Sequence, residues 1–91
     1  MQKCLNVQFT GMVQGVGFRF TTQRIARQFQ VTGFVRNLPN GKVQVTAEGE
    51  EKVLEDFLKE ICESSLGHYI RDVETEWTGP EGKFRQFEIL S

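Results

Sequence analysis

Residues 31–47 read VTGFVRNLPNGKVQVTA. An extended run from about Val31 to Asn37 precedes Leu38-Pro39-Asn40-Gly41, and Val43, Val45 and Ala47 alternate with polar neighbours after it. Proline followed by Asn-Gly between two such runs signals a hairpin, with Asn40 and Gly41 expected to supply the positive φ values of a tight turn. An antiparallel strand pair therefore stands near the centre of the chain. What flanks it decides the architecture.

On the N-terminal side, Leu5, Val7 and Phe9 alternate with Asn6, Gln8 and Thr10, the period of a strand with one buried face. A glycine-rich loop follows. From about Phe18 to Phe29 the spacing becomes helical, with Phe18, Thr22, Ile25, Ala26 and Phe29 on one face. On the C-terminal side, Val53, Leu54, Phe57, Leu58 and Ile61 form the apolar stripe of a helix over Glu50 to Cys62. Glu50 and Glu51 suit its first turn, where the helix dipole favours negative charge. Gly67 marks a stop, a fourth strand runs from about Ile70 to Trp77, Gly79-Pro80-Glu81-Gly82 is a turn, and Phe87 with Ile89 forms a short fifth strand.

The order β-α-β-β-α-β, with a short terminal strand, predicts a ferredoxin-like split βαβ sandwich of the α+β class. An antiparallel sheet would carry two helices on one face, in the core strand order 4-1-3-2, with the fifth strand unplaced. Residues 1–91 read as one domain without a repeat, linker or low-complexity segment. Such a length buries roughly 60–68% of the unfolded surface, and Phe57, Trp77 and Phe87 are assigned to the core.

No apolar run reaches the roughly 18 residues of a membrane span. The alternating N-terminus lacks the continuous apolar stretch of a signal peptide, so a cytoplasmic location is expected. Cys4 and Cys62 have no metal-ligand spacing, and a reducing compartment would keep both as thiols. They are also expected at opposite ends of the sandwich, too far apart to bridge. His68 is the only histidine and has no ligand cluster around it, so no metal is expected.

The net charge of −1 conceals an asymmetry. Residues 1–47 contain no Asp or Glu, yet hold six basic residues; all twelve acids lie from Glu48 onward. A first half without carboxylates suits an anion. The plainer reading is a solvated basic face.

Residues 14–19, QGVGFR, sharpen the choice. Gly15 and Gly17 let successive amides turn inward as a nest, and the loop leads into a helix N-terminus with its unpaired N–H groups. Arg19 in the first turn opposes the helix dipole, a conflict that a bound anion removes. Otherwise the glycines only turn the chain and Arg19 lies on the surface. In the split βαβ topology the first two strands are parallel, so this loop and Asn37 fall at the same edge of the sheet.

Other chemistries fit less well. Phe20 stands where a dinucleotide fingerprint needs its third glycine, and no acid lies about 20 residues on. There is no Gly-Lys-Ser/Thr loop. Ser64-Ser65 lacks an adjacent base. Cys4 is expected at the edge opposite the loop, and Cys62 at a helix C-terminus where the dipole disfavours a thiolate. Strand alternation turns Arg36 to the face opposite Asn37.

GMVQGVGFRF at residues 11–20, followed by TGFVRNLPNGKVQVTAEG at 32–49, resembles the acylphosphatases. The similarity extends over essentially the whole chain. It implies a ferredoxin-like sandwich and hydrolysis of acyl phosphates to carboxylate and inorganic phosphate, with no metal or cofactor. It places a phosphate-binding arginine at Arg19, a water-orienting asparagine at Asn37 and a cradle of backbone amides at Gln14, Gly15, Val16, Gly17 and Phe18. Asn40-Gly41 departs from the Asp-Gly common in the family, and EWTGPEGKFRQFEIL at residues 76–90 follows its pattern more loosely. A monomer is expected, with a small acyl phosphate as its partner and neither nucleic acid nor membrane. The alternative is an anion- or RNA-binding ferredoxin-like module without turnover. The RNA reading suffers from a third strand, GKVQVTAEG, that lacks aromatics for stacking bases.

Overall fold

The structure, a computed structural model, describes residues 1–90. It contains β1 (Gln2–Gly11), α1 (Phe18–Phe29), β2 (Thr32–Asn37), β3 (Val43–Glu50), α2 (Glu51–Glu63), a 3-10 turn (Ser65–Tyr69), β4 (Ile70–Thr78) and β5 (Phe87–Ile89). The strand order is β4-β1-β3-β2-β5. The expected 4-1-3-2 core is present, with β5 added at the β2 edge.

The sheet is mixed rather than wholly antiparallel. β1 pairs antiparallel with β3 and β4, and β2 with β3, while β5 runs parallel to β2. The reason is the connection. β4 and β5 occupy opposite edges, so the chain between them crosses the sheet and enters β5 in the direction of β2.

Alternation assigns the two faces of the sheet. Leu5, Val7 and Phe9 of β1, Val35 of β2, and Val43, Val45 and Ala47 of β3 are buried with the helices. Ile25 and Ala26 of α1 and Leu54, Phe57 and Ile61 of α2 close this core from above. Phe57 meets Phe29 and Phe87 edge-on, with ring centroids 6.2 and 5.9 Å away, joining both helices to β5. Trp77, expected in the core, is 39% exposed. It pairs with Leu5 in register, but it lies near the end of the outermost strand, beside the helical layer rather than beneath it.

The opposite face is partly covered by residues 79–86. Phe84 packs on Phe34 at 5.9 Å. The buried Glu48 carboxylate accepts the Glu81 N–H at 2.7 Å and the Gly82 N–H at 3.0 Å. Burying a carboxylate is costly unless it is hydrogen-bonded, and these two donors meet that requirement. Glu48 thus fastens the crossing segment to the middle of the sheet.

Two local expectations change. In the 38–42 hairpin only Gly41 has a positive φ, of 90°, whereas Asn40 does not. Gly41 N–H donates to Leu38 C=O at 3.1 Å, and Leu38 N–H donates to Lys42 C=O at 2.8 Å. This is a type I turn followed by a left-handed glycine, and Pro39 suits its first central position. Gly67 lies inside the 3-10 turn rather than ending α2. The helix ends at Ser64, whose hydroxyl accepts from Leu66 N–H at 3.2 Å.

Candidate active site

The loop after β1 is built from alternating anchors and glycines. Val13 and Phe18 are buried, and Val16 packs against the core. Phe18 stacks at a tilt on Phe9, 5.0 Å between centroids, which pins the start of α1 to the end of β1. Burying a Phe side chain contributes about 1.5–3 kcal/mol, enough to hold a short loop in one shape. Between these anchors Gly15 and Gly17 adopt φ values of 80° and 76°. Left-handed backbone at two positions so close in sequence turns the intervening amides to one side.

Gly17 also caps α1, and it has no side chain to satisfy the first helical N–H groups. Among the described residues, the N–H groups of Gln14, Gly15, Gly17, Phe18, Arg19 and Phe20 donate to no protein acceptor, and Gln14 and Gly15 form a turn. The loop therefore presents a run of donors backed by the positive end of a 12-residue helix. The first turn of that helix contains no acid.

Arg19 is half-buried in this turn. Its Nη1 donates to the Leu90 carbonyl at 3.3 Å, and no carboxylate pairs with it among the described residues. A guanidinium has five N–H donors, so most of the fork remains available. Leu90 is itself fixed, since its N–H donates to Val35 C=O at 2.9 Å. Nothing in the sequence signals this carbonyl on Arg19.

Asn37 ends β2. Its partner across the ladder is Val43, and the partner of Val43 on the other side is Phe9. Asn37 and the end of β1 therefore share one level of the sheet, with the start of β3 between them. Beyond that level the loop and the 38–42 hairpin meet through Gln14, whose Nε2 donates to Leu38 C=O at 2.8 Å and to Lys42 C=O at 3.0 Å. Arg19, Asn37 and the Gln14–Phe18 loop are thus gathered at one edge of the sheet. The Asn37 carboxamide makes no hydrogen bond among the described residues.

The remaining polar residues stand apart. Arg36 points to the other face, where its Nε donates to Gln44 Oε1 at 2.7 Å. His68 is exposed in the 3-10 turn. Cys4 lies on the outer face near the far end of β1, opposite Glu48 and Thr78, while Cys62 sits on α2; both are free. Burial pushes the Cys4 thiol above its ordinary range, with Glu48 and Glu81 adding to the rise and a Thr78 hydrogen bond opposing it. Desolvation and Glu63 raise Cys62. Neither favours a thiolate nucleophile.

The acylphosphatase family model matches residues 5–89. The acylphosphatase of Lactobacillus gasseri is 42% identical over 89 residues, covering 97% of this chain and 98% of that protein. The Thermotoga maritima acylphosphatase is 41% identical over 87 residues, 96% of each. The crystal structure of acylphosphatase from Bacillus subtilis superposes over the full length of both chains with a TM-score of 0.87 at 28% identity. With a near-complete family match and relatives of this similarity, the chain belongs to the acylphosphatase family.

Proposed function

We propose that this acylphosphatase hydrolyses acyl phosphates through the Gln14–Phe18 amide loop, Arg19 and Asn37. The observation that carries the assignment is the cluster of uncommitted N–H donors at a helix N-terminus, on the same sheet edge as Asn37.

The phosphoryl oxygens accept hydrogen bonds from the backbone N–H groups of the loop and from the Arg19 guanidinium. Charge-assisted bonds of this kind are short and strong. The Asn37 carboxamide accepts from a water and holds it in line with the scissile P–O bond. As the water oxygen bonds to phosphorus, the bridging P–O bond breaks and its electron pair leaves on the carboxylate. The proton lost by the water remains with inorganic phosphate or passes to solvent. The leaving group is already good, so positioning and charge stabilisation are the tasks left to the protein.

These tasks need no cofactor, and the loop and guanidinium supply the positive potential that a cation would otherwise provide. Metal-independent turnover is therefore part of the proposal. So is a single cytoplasmic domain acting as a monomer on a small acyl phosphate. The two cysteines, unpaired on opposite faces of the sheet, suit a reducing compartment. Binding to RNA is not proposed, because Phe34, an aromatic of the open face, is packed under Phe84.

The test is hydrolysis of benzoyl phosphate in excess chelator. Undiminished turnover is expected, with inorganic phosphate as a competitive inhibitor. Loss of turnover on chelation, restored by a divalent ion, would contradict the metal-free mechanism.

A further inference from the structure

We infer that the Gln14 side chain is a positioning residue for the hydrolysis, fixing the amide loop against the strand end that carries Asn37. This rests on the proposed role of Asn37 as the group that orients the water.

The strand ladder alone does not set that relationship. The last common rung is Val43, opposite Phe9 on one side and Asn37 on the other. Beyond it the loop and the hairpin leave the sheet separately. Among the described residues, the Gln14 amide makes the hydrogen bonds that join them, to Leu38 C=O at 2.8 Å and to Lys42 C=O at 3.0 Å. Leu38 directly follows Asn37 and is tied to Lys42 by its own N–H, at 2.8 Å. Gln14 thus grips both sides of the hairpin mouth, one residue from the Asn37 carboxamide.

The residue type suits this task. A primary amide has two N–H donors, one for each carbonyl. Glutamate would present only acceptors to two acceptors. Alanine would remove the bridge yet keep the Gln14 backbone N–H in the loop, so the side chain can be tested apart from the amide cradle. Gln14 is also exposed, so its substitution opens no cavity. A water held even 1 Å from its productive place can cost about 10²-fold in rate.

The experiment measures kcat and KM for benzoyl phosphate, inhibition by inorganic phosphate, and thermal melts. The proteins are wild type, Gln14→Ala, Gln14→Met, Asn37→Ala and the Gln14→Ala/Asn37→Ala double variant. We expect both Gln14 variants to lose about 10- to 100-fold in kcat, with phosphate inhibition changed by less than about threefold. In the Asn37→Ala background the Gln14→Ala loss should disappear, because residues acting through one another are not additive. Full turnover in either folded Gln14 variant would overturn the inference. A multiplicative loss in the double variant would also overturn it, since Gln14 would then act without Asn37. Undiminished turnover in Asn37→Ala would instead remove the reading on which the inference rests, a result visible in that single variant alone.

Discussion

Arg19 and Leu90 are joined across the edge of the sheet, the guanidinium donating through Nη1 to the Leu90 carbonyl at 3.3 Å. The bond ties the cation of the loop to Leu90, just after β5, whose own N–H donates to Val35 of β2. A half-buried Arg held this way is oriented before substrate arrives. Pre-set charge avoids reorganisation at the moment of reaction. Arg19→Ala should lower kcat/KM by at least about 10²–10³ and weaken inhibition by inorganic phosphate. Arg19→Lys should recover little, because an ammonium cannot reproduce a planar fork. Steady-state kinetics with phosphate inhibition measure both, and near-normal activity in Arg19→Lys would show that charge alone suffices.

Gly15 and Gly17 should tolerate a side chain sterically but not conformationally. A Cβ at either position meets nothing within 4 Å, yet both hold left-handed backbone. Alanine there should cost about 1–2 kcal/mol of stability. Asparagine, which visits this region more readily, should cost less. If the shape of the loop carries catalysis, Gly15→Ala should also lose activity in a protein that remains folded at assay temperature. Urea melts paired with turnover separate the two effects. Unchanged stability in both alanine variants would contradict the strain argument.

Glu48 should matter to stability far more than its charge suggests. Its two carboxylate oxygens accept the Glu81 and Gly82 N–H groups across the sheet. Glu48→Gln keeps the volume but turns an NH2 toward one of those donors, leaving a buried mismatch. A loss of about 1–3 kcal/mol is expected, read as a lower urea midpoint. Faster backbone hydrogen exchange at Glu81 and Gly82 should accompany it. Wild-type exchange at these two amides in the variant would show that the crossing segment is held by other contacts.

Activity and stability should respond differently to pH. An amide, a guanidinium and backbone N–H groups do not titrate near neutrality, so kcat should be flat between about pH 5 and 8. A sharp dependence within this range, removed by changing His68, would contradict this. Stability should instead decline in alkali. Burial raises the Cys4 pKa in the folded state, so the unfolded chain gives up this proton first. The fold keeps its full stability below the unfolded thiol value of about 8.5 and loses it as pH climbs toward the folded value. Urea midpoints at about pH 7 and pH 9.5 should therefore differ more in wild type than in Cys4→Ala. An equal drop in both would assign the alkaline loss to other groups.

What the sequence made legible was local. The helical spacing from Phe18 to Phe29 and the short strand Phe87–Ile89 appear with the expected bounds, because each carries its own pattern of apolar residues. The grouping of Arg19, Asn37 and the QGVGFR loop at one edge followed from topology, since two parallel strands end together. Long-range partners were not legible. The parallel pairing of β5, the two N–H groups on Glu48 and the Leu90 carbonyl on Arg19 each join residues more than 30 positions apart. Trp77 shows a related limit. Its apolar character and alternation suited a core position, but its exposure follows from the edge location of β4, which local pattern does not encode. At the hairpin, Asn40-Gly41 signalled the turn correctly, but Pro39 and the bulged Gly41 set its type.

The most direct test of the mechanism is Asn37→Ala with benzoyl phosphate, run beside inhibition by inorganic phosphate. A folded variant that binds phosphate within a few-fold of wild type but loses about 10²–10³ in kcat is the expected result, for it would separate holding the anion from orienting the water. A folded Asn37→Ala protein with wild-type kcat would contradict the assignment of the water to Asn37.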